Sequence, residues 1–297
     1  MTLTAPRAPE RTLQRTSKDG RRVAGERAFQ LLLLIGLGIG LVVLGVLLYT
    51  VANKGGGRLS SEFMNGFPSR RAAKAGIKPA LYGSLWLLGL TIVIAVPLSI
   101  GAAIWLEEIA PRNWLTRLIE VNIANLAGVP SIVYGILAAG LFSGLLGLGD
   151  SLWTGAFALS MLAFPVIVVA ARESIRAVPP SIRQGAYALG ATRWQVTRRS
   201  VLPPSIGGVV TGCVLALSRA IGEAAPLLLV AVTASFSTPN SPGDVFSALP
   251  LQIYSWTTRP QVAFQVNAAA AIMVLLGIVL TVNVIAIFIR NRSQVRW

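Results

Sequence analysis

Apolar residues in this chain neither alternate nor recur once per helical turn; they run on in long blocks separated by short polar joints. Five blocks lack Lys, Arg, Asp and Glu altogether: residues 29–51, 81–106, 123–149, 152–171 and 266–289. Each approaches or exceeds the roughly 20 residues with which a helix crosses the hydrocarbon core of a bilayer. A sixth block, 204–234, is long enough but is interrupted by Arg219 and Glu223. The pattern predicts an all-α polytopic membrane protein with six transmembrane helices in one domain. The first block is too long for a typical signal peptide and lacks a small-residue cleavage pattern, so it is expected to remain as a span.

The joints divide the chain further. Residues 1–27 are polar, basic and without apolar period, and are expected as a disordered cytoplasmic tail. Residues 28–290 form the membrane domain and 291–297 a second short tail. The longest internal joint, 172–203, alternates apolar and polar positions around Ile182, Tyr187 and Leu189 before Gly190, a residue able to take the positive φ that ends a helix. "TRWQVTRRSVL" then begins a second short helix, which Pro203 and Pro204 are expected to stop at the membrane. Pro97, Pro130, Pro165 and Pro226 lie in or beside spans, where a kink is tolerated if the freed carbonyl finds protein or water. Glycines four apart, at 36 and 40, 140 and 144, 208 and 212, suit close helix packing and point to no particular function.

Composition supports the membrane reading: 54% of residues are hydrophobic and 12% charged, against about 25% charged in soluble domains. The charges also set an orientation. With the N-terminus inside, the cytoplasmic segments hold seven, two, six and three Lys and Arg, eighteen in all, against six in residues 52–80 and one in 235–265 outside. Both termini are therefore expected in the cytoplasm, although Lys54, Arg58, Arg70, Arg71, Lys74 and Lys78 go against the rule. The net charge of +15 is spent on flanking spans and carries no aromatic platform for nucleic acid. The chain has no His and one Cys, Cys213, which leaves little material for a metal site or a disulfide. No phosphate-cradling Gly-rich loop ends in Lys-Ser or Lys-Thr, so uphill movement of a solute requires an ion gradient or another subunit.

Arg219 and Glu223, in "SRAIGEAAPLLLV" at 218–230, share a helix face at i and i+4. An arginine at the bilayer centre costs roughly 3 kcal/mol on insertion scales, so a partner is expected, and Glu223 is the nearest. A guanidinium also offers two donors to two oxygens of a tetrahedral anion and stays charged. The residues alone are consistent with a path-lining pair or with a structural clamp between subunits. Arg172 with Glu173 suits interfacial anchoring. Asn122, Asn125, Ser131 and Tyr134 suit either an inner mouth or packing between helices.

The 172–203 joint resembles the cytoplasmic signature of the integral membrane permeases of ATP-binding-cassette importers. In that family Glu-Ala-Ala, three residues, Gly, nine residues and Ile-x-Leu-Pro mark a coupling helix seated in a groove of a separate ATPase. Here the pattern reads Gln184, Gly185, Ala186, then Gly190, then Ser200, Val201, Leu202 and Pro203, with Gln184 in place of the usual acid. The resemblance implies the type I (MetI-like) permease fold, and places Ala186, Tyr187, Leu189 and Gly190 against the ATPase. "LEEIAPRNWLTRLIEVNIANLAGVPSIVYGI", "QGAYALGATRW", "SRAIGEAAPLLL" and "ALPLQIYSWTTRPQVAF" resemble the PstA branch of phosphate-importer permeases more closely than the PstC branch. That implies partners of the PstC, PstB and PstS kinds: a second permease, an ATPase dimer that holds ATP and Mg, and a periplasmic phosphate-binding protein. It also implies inorganic phosphate as cargo, a bacterial inner-membrane location among lipid, and no cofactor or catalysis in this chain. A permease for molybdate, sulfate or phosphonate is the alternative within the fold, and an ion-coupled carrier using Glu223 the alternative outside it.

Overall fold

The computed structural model describes residues 17–232 and 235–293 of the 297. Most of the expected N-terminal tail and the end of the C-terminal one lie outside these. The described chain is helical, with one isolated antiparallel bridge, Ser151 to Val245. It divides into two compact units, one reaching to Thr50 and one beginning at Val51.

The first unit consists of most of α1 (Ser17–Gly55). The helix starts inside the segment expected as a tail, because "RRVAGERAF" contains no proline and the lone Gly25 is tolerated within a long helix. Side chains from 25 to 49 are exposed almost without exception, an apolar surface on every side that suits lipid.

In the second unit a short helix α2 (Ser61–Asn65), capped by Ser60, precedes α3 (Lys78–Ile104), which continues through a wide π-type turn, Trp105–Ile109. Next come α4 (Trp114–Leu126) and α5 (Ser131–Ala138), the latter extended by a second wide turn, Ala139–Leu145. α6 (Leu152–Arg176), α7 (Pro180–Ala188) and α8 (Arg193–Val196) follow, and α8 passes through a third wide turn, Thr197–Val201, into α9 (Leu202–Gly222). After a 3-10 turn, Ala225–Leu229, the chain ends in α10 (Leu249–Thr257) and α11 (Val262–Ser293). Among the described residues, five continuous helices are long and apolar enough to cross a membrane, and the bent pair α4 and α5 makes a sixth. The chain is thus an all-α multi-pass membrane protein.

Three expectations change. The block 123–149 is not one straight span: α4 and α5 meet at 107°. Gly128 adds flexibility, and Pro130 drives Val129 out of helical conformation, which opens the joint. The block 204–234 ends as a helix at Gly222, where Glu223 turns extended at φ −81 and ψ 118. Pro226 has no N–H to offer the Gly222 carbonyl, so the helix cannot continue past it. Pro203 and Pro204, conversely, do not stop a helix, since residues 193–222 run on as one span. Both prolines follow the wide turn at Thr197–Val201 and sit in the first turn of α9, where a fixed φ and a missing N–H are tolerated. Pro97 and Pro165 likewise sit inside continuous helices.

Packing relies on small residues. A Cβ on Gly208 would lie 2.3 Å from Ser174 Oγ, and one on Gly212 2.3 Å from the Ala170 methyl, so α9 lies tightly on α6. Ala95, Ala103, Ala163, Ala171, Ala216 and Ala220 fill the same core. At the other end of α6 the segment leading to α10 rests on α3. A Cβ on Gly83 would fall 1.9 Å from the Ser247 carbonyl oxygen, and Ser84 Oγ accepts from Leu249 N at 2.8 Å. Arg58, one of the basic residues at odds with the charge rule, is consumed here. It donates to Asn267 Oδ1 at 3.1 Å and to the Ala73 carbonyl at 2.6 Å, with its guanidinium 5.4 Å from the Phe63 ring.

Candidate functional site

Two places bring charged side chains together, one at each end of α9. Arg219 lies in the last turn of α9, about 26 Å along the helix from Leu202. A cation there faces the negative end of the helix dipole. Its Nε donates to Glu223 Oε1 at 3.4 Å, so the pair foreseen in the sequence forms, but across a helix terminus and not along a continuous face. Glu223 Oε2 also accepts from Ser131 Oγ at 3.3 Å. Ser131 opens α5 just past the α4 break, and Gly135 one turn on packs so closely that a Cβ would sit 2.5 Å from the Pro226 carbonyl oxygen. The two interrupted helices therefore meet, break against break, at Ser131, Glu223 and Arg219. Tyr134 closes the α4 to α5 corner by donating its hydroxyl to the Leu126 carbonyl at 2.6 Å.

Irregular backbone at membrane depth survives only where protein covers it or water reaches it. The Arg219 side chain is 59% exposed in the single chain, while Glu223 is 24% exposed. A guanidinium facing lipid is costly, so an exposure of this size suits polar surroundings. Asn122 and Asn125 are exposed on α4, Asn122 spending its amide on the Leu118 carbonyl of its own helix at 2.8 Å.

At the other end of α9 the 172–203 joint folds as two helices around Gly190, whose φ is +79. Thr192 and Gln195 form a reciprocal cap that starts α8. Gln184, Gly185, Tyr187, Leu189 and Gly190 are exposed, Leu189 to 89%. An apolar side chain presented so fully beside a tyrosine suits a partner surface. Ala186 differs from the rest: it points inward with Ile182 and packs on the core between α6 and α9.

The arginines near this loop pair with carboxylates distant in sequence. Arg172 does not pair with Glu173, which is exposed and lies 3.5 Å from Arg176. It is buried, donating through Nε to Glu107 Oε1 and through Nη2 to Glu120 Oε1, both at 2.7 Å. Arg176 reaches the same Glu107 oxygen at 2.8 Å, and Arg183 of α7 reaches Glu108 at 3.1 Å. The available signal was the placement of three carboxylates at 107, 108 and 120 against three arginines at 172, 176 and 183. Both groups flank span ends on the same side of the membrane.

Comparison with known proteins fits this geometry. Residues 95–294 match the family model for the binding-protein-dependent transport system inner membrane component. The chain is 37% identical over 216 residues to the phosphate transport system permease protein PstA 1 of Mycobacterium tuberculosis, covering 72% of this chain and 70% of that one. It is 33% identical over 236 residues to a probable ABC transporter permease protein, YqgI, of Bacillus subtilis, covering 75% and 79%. In fold it is similar to a chain of a bacterial alginate ABC transporter solved in complex with an alginate pentasaccharide-bound periplasmic protein. That likeness has a TM-score of 0.63 at 17% identity, over 94% of this chain and 98% of the other.

Proposed function

The chain belongs to the binding-protein-dependent transport system inner membrane components, and we propose that it is a permease subunit of an ATP-driven importer of inorganic phosphate. The observation that carries this reading is the meeting of two broken helices at Arg219, Glu223 and Ser131, with the guanidinium open on one side. Arg219 donates two N–H groups to two phosphate oxygens as the anion passes, and Glu223 competes for the same fork when it is gone. Competition keeps binding weak enough for release, which transport requires. The phosphate-permease relatives support this cargo over molybdate, sulfate or phosphonate.

The exposed side of Arg219 faces a second permease of the PstC kind, so that each chain supplies half of the path. The exposed Tyr187, Leu189 and Gly190 surface, with Gln184 and Gly185 beside it, meets an ATPase of the PstB kind. ATP and Mg are held by that subunit, and this chain contributes no chemistry. A periplasmic phosphate-binding protein of the PstS kind delivers cargo at the opposite face. The excess of Lys and Arg around the 172–203 loop and both termini orients these in the cytoplasm of a bacterial cell, with the spans in the inner membrane.

The test is uptake of radiolabelled phosphate in cells lacking this gene and any duplicate importer, complemented with the native chain, Arg219→Gln or Arg219→Lys. Uptake restored only by the native chain supports phosphate passage at the fork. Normal uptake with Arg219→Lys reduces the pair to a clamp, since lysine keeps the charge and loses the fork. Unchanged uptake on deletion refutes phosphate as the cargo.

A further inference from the structure

Two layers of paired charge join α7 to the membrane bundle. In the outer layer Arg183 of α7 holds Glu108 in the wide turn after α3, at 3.3 Å from Nε and 3.1 Å from Nη2. The same guanidinium donates to the Val178 carbonyl at 2.6 Å and the Ile175 carbonyl at 2.7 Å, closing the end of α6. In the inner layer the adjacent Glu107 accepts from Arg172 and Arg176 of α6, and Arg172 passes on to Glu120 of α4. A bonded chain thus runs from α7 to the α3 turn and α6, and through Arg172 to α4. From α4 the Tyr134 to Leu126 bond crosses the break to α5, whose first residue is Ser131, the partner of Glu223.

Stability alone does not account for this arrangement. Buried ion pairs are often no better for stability than apolar packing, and their best-attested use is to fix one geometry among several. Glu108 is 7% exposed and Arg172 11%, so the bonds are largely sheltered from water. Beside them lies an open cleft of about 1450 Å³ lined by Arg112, Arg117, Glu120, Arg176, Arg183 and Tyr187, among others. The charged layers therefore pack against the core on one side and border the cleft on the other. Apolar contacts alone would let α7 slide across the α3 turn, whereas the two donors Arg183 directs at one carboxylate oxygen hold it in register.

We propose that Arg183 with Glu108, and Arg172 with Glu107 and Glu120, are positioning residues that carry displacement of α7 into the α3 turn and α4, and so move the Ser131, Glu223 and Arg219 junction. This rests on the reading of α7 as the ATPase-docking helix of a phosphate permease. The linkage runs through bonded side-chain pairs joined by short stretches of helix backbone.

The test uses the complete transporter in proteoliposomes: this chain with its permease partner, ATPase and binding protein. Phosphate imported per ATP hydrolysed is measured for the native chain, Glu108→Gln, Glu108→Asp and Glu120→Gln. Glu108→Gln is expected to retain the ATPase subunit and to hydrolyse ATP, while phosphate moved per ATP falls about tenfold, the scale of coupling that packed networks carry. Glu108→Asp keeps the charge and recovers most of that ratio. Glu120→Gln, at a less buried position, lowers it with little loss of folded protein and so decides the matter if Glu108→Gln does not fold. Ratios within twofold of native, or hydrolysis and uptake falling together as the ATPase is lost, overturn the linkage. A native complex that binds no ATPase or imports no phosphate overturns the underlying reading, and the linkage falls with it.

Discussion

Replacing Arg172 by Gln distinguishes the buried charge network from the exposed Arg219 pair. The native guanidinium is 11% exposed and makes two 2.7 Å bonds, one to Glu107, which is 14% exposed, and one to Glu120, which is 35% exposed. Without it Glu120 loses its guanidinium partner and Glu107 loses one of two. Removing one member of a buried pair typically costs about 3–5 kcal/mol. Arg176 still bonds Glu107 at 2.8 Å, and Glu120 reaches water, so the lower end, about 3 kcal/mol, is expected. Arg219→Gln gives the contrast. That pair is 3.4 Å long with side chains 59% and 24% exposed, and is worth at most about 1 kcal/mol. Thermal unfolding of the two purified variants in one detergent, followed by loss of the monodisperse chromatographic peak, is the assay. Arg172→Gln should lower the midpoint by several degrees and Arg219→Gln by little, while Arg219→Gln alone leaves a well-folded protein without transport. Equal shifts would refute the reasoning, since burial would then not be setting the energies.

Other outcomes follow from single contacts. Gly135→Ala drives a methyl to within 2.5 Å of the Pro226 carbonyl oxygen, a backbone atom, and is expected to cost about 1–3 kcal/mol with a matching loss of phosphate uptake. Gly190→Ala forces φ +79 on a residue with a Cβ, at about 1–2 kcal/mol, and should reduce the ATPase recovered with the purified chain several-fold. Asp244 accepts from the backbone N–H of Asn240 and Ser241 at 2.8 and 2.9 Å, which holds its carboxyl below the ordinary aspartate value. A lowered folded value gives stabilisation that is complete above the unfolded value and lost as pH falls through the folded one. Exchange of those two amides, corrected for intrinsic rate, should therefore stay slow down to the ordinary aspartate range and quicken only below it. Quickening well above that range would contradict the assignment.

Much of the fold was legible before any coordinates. Uninterrupted apolar blocks of membrane length have one solution in a bilayer, since a helix satisfies its own backbone, and the blocks at 29–51, 81–106, 152–171 and 266–289 each lie within a long continuous helix. Gly190 was likewise local: a glycine ending an amphipathic stretch took the positive φ that such a position favours. The coupling-loop motif and the Arg219 to Glu223 spacing were visible because residues close in sequence carry them.

Some readings did not hold. Pro203 and Pro204 read as a stop, yet they sit in the first turn of α9 and the helix runs on. Arg172 read as a partner for its neighbour Glu173, yet it bonds Glu107 and Glu120, sixty-five and fifty-two positions away. Ser131 suited either an inner mouth or interhelical packing by its sequence, and its partner Glu223 appeared only once the α4 break was seen to face the α9 break. Sequence thus determined which segments enter the membrane, where the loop bends and which charges are present, because hydrophobic length and φ preference act on neighbouring residues. Tertiary structure decided which distant charges meet and how the interrupted helices face one another. Close packing and hydrogen-bond satisfaction act between segments, and a proline or an arginine has no fixed meaning until the atoms opposite it are in place.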